Sequence, residues 1–531
     1  MMRSEWPEPA RQLDGQARVL VTGARIVLPG GHRTDALLID GERIAALGQE
    51  AVEAARGAAK LELPGVTVLP GFIDAHTHLI HQGLTLGRLA LGTAGSSREV
   101  LELVAAALAD HDPGRLLIAE DWDDTAWPAG DRLERAALDR LAPRTPVILR
   151  RVCGHLAVAN GAALARISAH PAASAHAANG LLAVESGVLI EDAAMRLREL
   201  FPPDEGEIDR ALARAEAQAL GLGVTSVHDI ADQAGVAALA RRRRAGSLRM
   251  RVTVHVDRQQ LPGVETLGLG SGPGDRWLKL GGVKLYLDGS IGARTAALRA
   301  PYADSPLETG RLLFAEADLI ALVRRIDAAG STAVLHAIGD AAIDQALTAL
   351  EALGPAGVHA ARHRIEHLEL TPDDLIERVA RLGVTASMQP NFVDRWGQAG
   401  GMYARALGAE RLGQMNRFRT LVGRGVPLAF GSDCMPMGPL AGLRGALHHP
   451  LASERLTASE AFAAYAAGGA YAAFAESETG AIVPGHLADL VLVAGDPWDA
   501  ADPERCPVLA TIVGGRLMHE AAPPRAGHAD P

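Results

Sequence analysis

The sequence predicts an α/β protein: a (β/α)8 TIM-like barrel, a composite β-sandwich domain drawn from both termini, and an insertion after barrel strand one. Three observations predict it. Eight short β-branched runs alternate with helical stretches through the middle of the chain, both ends read as short strands with turns, and a long segment separates the first run from the second. A chain of 531 residues has room for a large enzyme core and a satellite domain.

Taken in order, residues 1–16 are polar and contain proline, so they are expected to be loosely ordered. From residue 17 the text becomes ARVLVTGARIVL, a GGHR turn and ALLIDGERIAALG, with alternating apolar residues and an Asp40-Gly41 turn suited to hairpins. LADLVLVAG (487–495) and LATIVGGRLM (509–518) have the same texture at the other end. A short hairpin set is marginal alone, so residues 17–69 and 481–520 are expected to pair into one β domain, followed by a flexible tail over 521–531.

Between them, residues 70–480 form the expected barrel. Its strands are read at VTVLPGFIDAH (66–76), VTSVHD (224–229), RVTVHV (251–256), GVKLYLD (282–288), TAVLHA (332–337), RHRIEHL (362–368), VTASMQ (384–389) and PLAFGSD (427–433). Helical stretches such as EADLIALVRRIDAAG and DDLIERVARLG intervene, which is the alternation of a parallel barrel. The insertion, about residues 84–205, has a mixed pattern of its own and is expected to pack over the barrel mouth.

Charge and cysteine usage exclude several classes. Lys plus Arg total 52 against 63 Asp plus Glu, a net charge of −11, which argues against nucleic acid or an anionic membrane as the main partner. The run Arg241–Arg244 reads as a solvated helix C-terminus, where cations meet the dipole favourably. Three scattered cysteines, Cys153, Cys434 and Cys506, make neither a disulfide framework nor a cysteine zinc site. No signal core or membrane-length apolar run is present, so the expected location is cytoplasmic.

The chemistry gathers at strand ends, where barrels of this kind build their sites. His76 and His78 stand two apart in Asp74-Ala-His76-Thr-His78, so on an extended chain they face the same way and can share one ion. Lys284, His336, His367 and Asp433 lie at or near the ends of the predicted strands four, five, six and eight. Each alone has an ordinary reading as a paired or capping residue. Their joint placement is what reads as a metal site.

The segments PGFIDAHTHL, GGVKLYLDGSIGARTAAL, LHAIGDAAIDQAL, RIEHLEL and FGSDCMP resemble the signature segments of the amidohydrolase superfamily. They look most like its amidohydrolase 3 branch, which holds YtcJ-like proteins and N-substituted formamide deformylases. The likeness runs from about residue 17 to 520 and itself implies the barrel with a β-sandwich. Carried across, it makes His76, His78, His336 and His367 metal ligands, and Asp433 a ligand that also handles protons. Lys284 sits where relatives carry a lysine that reacts with CO2, and the resulting carbamate bridges two metals. With Lys284 unmodified, a one-metal site of histidines and Asp433 is the alternative. Imidazole and carboxylate ligands suit zinc first, with manganese, iron or cobalt open.

The resemblance also places His155, in Cys153-Gly154-His155…Asn160, near substrate, although this chain has Cys153 where many relatives carry aspartate. Asp288, Ser290 and Arg294 are expected to line the pocket, and Gln389 to face substrate at the end of strand seven. Asp340 is expected to brace its loop. His228 and His255, inside strands two and three, read as core residues. Cys434 has no base to pair with, so a cysteine nucleophile is rejected. The expected activity is hydrolysis of a non-peptide C–N bond in a small molecule, an N-acyl, N-formyl or cyclic amide, by metal-activated water. Deamination of a heterocyclic amine is the alternative on the same ligands, and a metal-free scaffold is disfavoured by the intact ligand set. The family likeness admits a homo-oligomer.

Overall fold

The computed structural model describes residues 13–521, apart from 125–126, 129, 152–155, 170–181, 184 and 191–200. The chain divides into two compact units, Met1–Leu79 with Ala215–Pro531, and Ile80–Arg214.

The first unit holds the barrel. Its eight strands run in sequence order: Phe72–Thr77, Val224–Ala231, Arg251–Asp257, Leu278–Tyr286, Thr332–Ala337, Arg364–His367, Thr385–Met388 and Leu428–Phe430. Every neighbouring pair is parallel. The first strand meets the segment that directly follows the last. There the Asp433 N–H donates to the His76 carbonyl at 2.8 Å, and the Ser432 N–H donates to the Asp74 carboxylate at 2.9 Å. A Cβ on Gly431 would lie 2.4 Å from the His76 nitrogen, so this close approach requires glycine. Helices between the strands bury apolar stripes against the barrel; in Asp373–Leu382 the buried set is Leu375, Ile376, Val379 and Leu382.

The two ends of the chain share one sheet. Val66–Pro70 pairs antiparallel with Leu490–Ala494, and the same sheet continues through Arg18–Val27 and Arg33–Asp40 on one side and Val508–Val513 on the other. Alternate residues of these strands (Val19, Val21, Leu37, Ile39, Val68, Leu490, Leu492 and Ile512) fill a common core. The run VTVLPGFIDAH, expected as one barrel strand, is therefore two. Gly71 divides it, at a position that requires glycine because a Cβ there would meet the Thr225 side chain at 2.3 Å. Residues 13–16, expected to be loose, are tied to this sheet, with Leu13 buried and its carbonyl accepting from the Leu517 N–H at 3.0 Å. The remainder of the two expected loose ends, 1–12 and 522–531, lies outside the described residues.

A buried ion pair joins this β domain to the barrel. Arg251 of strand three donates from Nε and Nη2 to the two oxygens of Asp489, at 2.7 and 2.9 Å. Asp489 also accepts from the Gly514 N–H at 2.7 Å. Asp489→Ala leaves a buried guanidinium unpaired and is expected to destabilise the protein by about 3–5 kcal/mol, as read by denaturant unfolding. A change below about 1 kcal/mol would show that the pair does not hold the domains together.

The second unit carries a separate six-stranded sheet, ordered Leu182–Ala183, Val188–Ile190, Leu156–Ala159, Val147–Arg151, Leu117–Trp122 and Leu89–Ala90. Asn160 caps the helix Gly161–Ser168 and is fully used: Oδ1 accepts from Ala163 and Val147, and Nδ2 donates to Ala142 and Thr145. The run Arg241–Arg244 ends a helix that Asp232 caps, with Arg242 paired to Glu216 and Arg243 to Asp275. Among the described residues no helix is long and apolar enough to cross a membrane.

Candidate metal centre

Barrel strand one delivers His76, buried, and His78 just beyond its end, partly exposed. Asp433 follows strand eight. Its Oδ1 lies 3.2 Å from His78 Nε2 and 3.5 Å from His76 Nε2. One ligand atom from each of these three residues falls within 4.8 Å of the others. A tetrahedral ion with bonds of about 2.1 Å separates its ligand atoms by about 3.4 Å, so the spacing suits one divalent cation.

The other expected ligands surround this trio. The His367 ring centroid is 4.8 Å from that of His76 and 4.5 Å from that of His336. Strand alternation sends Glu366 inward and would send His367 outward. Instead His367 has a left-handed φ of 72°, which turns its side chain back toward the site. Asp433 at 51° and Cys434 at 58° are also left-handed, in the turn after strand eight. Such conformations cost on the order of 1–3 kcal/mol each and gather at functional sites. Lys284, on strand four, is buried with Nζ 4.8 Å from the Tyr286 ring centroid.

Hydrogen bonds set which nitrogen of each imidazole stays bare. The Nδ1–H of His76 donates to Glu366 Oε2, that of His367 to Gln389 Oε1 at 2.7 Å, and the Nε2–H of His336 to the Gly289 carbonyl at 3.0 Å. Each ring therefore keeps one unprotonated nitrogen. Burial pushes all three below the usual histidine range, His336 to about 4, with the Lys284 charge adding to the effect on His76 and His336. Burial favours the neutral acid of Asp433, but the His78 hydrogen bond and neighbouring imidazoles outweigh it and hold the carboxyl well below its usual range. Neutral imidazoles beside an anion are ligands in the form a cation needs. Two buried atoms complete the fit: His76 Nε2 and Lys284 Nζ have no hydrogen-bond partner.

The described residues expected to contact substrate have partners within the protein. Asp288 is buried and staples a loop, accepting from the N–H groups of Ala297, Ile338 and Gly339 at 2.9, 3.1 and 2.9 Å. Ser290 caps a turn, accepting from Ala293, and Arg294 is engaged by Asp304 and by the carbonyls of Ile291 and Gly292. Turn bonding claims Ser290 and, with Asp304, Arg294, while Asp288 ties its own loop to the segment after strand five. Gln389 Oε1 accepts from His367 Nδ1 at 2.7 Å. Asp340 braces its loop through the Arg299 N–H at 2.8 Å, and Cys434 Sγ accepts from the His78 N–H at 3.4 Å. His155 and Cys153 lie outside the described residues. Sequence reasoning missed Glu366. The available signal was a charged pair, Arg364 and Glu366, at alternate positions of an otherwise apolar strand.

A parallel barrel with histidines and an aspartate gathered at its strand ends defines a metal-dependent hydrolase. The chain belongs to the amidohydrolase family, whose profile (Amidohydro_3) matches residues 61–519. It is 29% identical to YtcJ of Bacillus subtilis, over 93% of this chain and 97% of that protein. It is 28% identical to the N-substituted formamide deformylase of Arthrobacter pascens, over 91% of this chain and 95% of that protein. Among solved structures, a metal-dependent hydrolase from Pyrococcus furiosus superposes with a TM-score of 0.80 at 28% identity, over 91% of this chain and 100% of that one.

Proposed function

We propose that this protein hydrolyses the C–N bond of a small non-peptide amide, with N-formyl and N-acyl amines as the first candidates and cyclic amides next. The observation that carries the reading is the convergence of His76, His78 and Asp433, with buried nitrogens of His76 and Lys284 that have no hydrogen-bond partner. The near full-length likeness to an N-substituted formamide deformylase supports the bond type. Zinc is the proposed ion, held by His76, His78 and Asp433, with His336, His367 and a carbamylated Lys284 holding a second. When bound, such an ion lowers the pKa of water to about 7 and polarises a carbonyl.

The chain's own residues then manage the proton. Asp433 accepts it from the attacking water and returns it to the departing nitrogen, so that water's oxygen joins the carbonyl carbon while the C–N bond breaks. The products are a carboxylic acid and an amine. The proposed setting is cytoplasmic, with a small-molecule substrate.

Dialysis against a chelator is expected to abolish hydrolysis, and zinc, manganese or cobalt to restore it; activity that survives complete metal removal would overturn the metal reading. A panel of N-formyl, N-acyl and cyclic amides beside heterocyclic amines tests the bond. Stoichiometric amine and acid from the first group is the expected result. Ammonia released from the heterocycles alone would replace hydrolysis of an amide with deamination.

A further inference from the structure

Arg364 and Glu366 stand two residues apart on barrel strand six, so both point into the barrel, and the side chains of both are 0% exposed. The centre of such a barrel is ordinarily filled by branched apolar side chains. Here one guanidinium occupies it and grips four strands. Arg364 donates from Nε and Nη2 to the Glu366 carboxylate, from Nη2 to the Ala75 carbonyl at 2.7 Å and to Ser387 Oγ at 2.6 Å, and from Nη1 to His228 Nδ1 at 2.9 Å. Ala75 immediately precedes His76, and Glu366 Oε2 accepts the Nδ1–H of that same histidine. Arg364 thus holds His76 twice, once by its backbone neighbour and once by its ring.

Stability does not require this arrangement. Replacing a buried ion pair by apolar residues of similar volume is often neutral or stabilising. An apolar layer, however, could not dictate which nitrogen of His76 carries the proton or how its ring is turned.

We propose that Arg364 and Glu366 are positioning residues of the metal centre, with Glu366 fixing the tautomer and ring orientation of His76 and Arg364 fixing Glu366 against the surrounding strands. This rests on the metal reading above and extends it to two residues that touch neither ion nor substrate. Partners of this kind typically change metal affinity 10- to 100-fold.

The test strips metal from wild type, from Glu366→Gln and from the double variant Arg364→Met with Glu366→Leu. Each is titrated with zinc and with cobalt(II) against a competing chelator, and each thermal midpoint is recorded. Glu366→Gln is expected to bind both ions about 10- to 100-fold more weakly, with an altered visible spectrum of the cobalt form. It leaves Arg364 unpaired and can lose stability for that reason alone. The double variant removes the buried charge, and is expected to regain stability while staying as weak in metal binding. Recovery of wild-type affinity in the double variant would reduce the pair to a structural element, and wild-type affinity in Glu366→Gln would overturn the proposal outright. A wild-type chain that binds neither ion would overturn the metal reading itself, a separate result that needs no substrate to observe.

Discussion

Asp433→Asn is expected to leave the barrel folded and to lower turnover by about 10²- to 10⁴-fold. The amide has the same shape as the carboxylate, so the backbone bond from the residue 433 N–H to the His76 carbonyl and the left-handed turn at that position can persist. What is lost is a group that takes a proton at neutral pH. The carboxylate in place is kept ionised by His78 and the imidazoles around it, and asparagine supplies neither that charge nor a basic oxygen. Metal content must be measured on the same preparation, because the substitution also weakens a ligand. With turnover corrected for bound metal, a residual rate within tenfold of wild type would remove Asp433 from the proton-transfer step.

Lys284→Met is expected to reverse the usual relation between stability and function. Lys284 Nζ is buried without a hydrogen-bond partner, so an apolar side chain of similar length should leave the thermal midpoint unchanged or higher. Turnover should fall by on the order of 10²-fold or more, since several kcal/mol of charge stabilisation is at stake at about 1.4 kcal/mol per factor of ten. Burial lowers the lysine to about 8, which raises the fraction of neutral amine, the form that can react with CO2. Intact-mass measurement under bicarbonate is expected to show a CO2 adduct on wild type that Lys284→Met lacks, together with a loss of bound metal in the variant. Equal metal content and equal turnover in the two proteins would eliminate a ligand role for Lys284.

The barrel was legible because its strands are short apolar runs alternating with helical stretches, and His76, His336, His367 and Asp433 stand out as polar residues at or near the ends of such runs. The parts that stayed hidden depend on direction. His367 faces the site through a left-handed φ of 72°, whereas its register on the strand points it the other way. Asp288, Ser290 and Arg294 follow Lys284 closely in sequence, but they belong to a turn-rich loop with no periodicity to reveal where a side chain goes. There the backbone N–H groups and Asp304 capture them. Gln389 directly follows strand seven, and its partner is an imidazole on the neighbouring strand, a contact no single strand encodes. The break at Gly71 has a visible sign in Pro70-Gly71, set within a long apolar run.

That break has a practical consequence for anyone trimming the protein. Gly71 is the sole residue between Pro70 in the terminal sheet and Phe72 at the start of the strand that carries His76, and its N–H is held by the Asp489 carbonyl at 2.8 Å. The outer sheet is thus the mooring of the first ligand strand. A minimal enzyme cut down to the barrel would set that strand adrift, so circular permutation or loop grafting should keep 66–77 and its C-terminal partner 489–494 as one indivisible cassette.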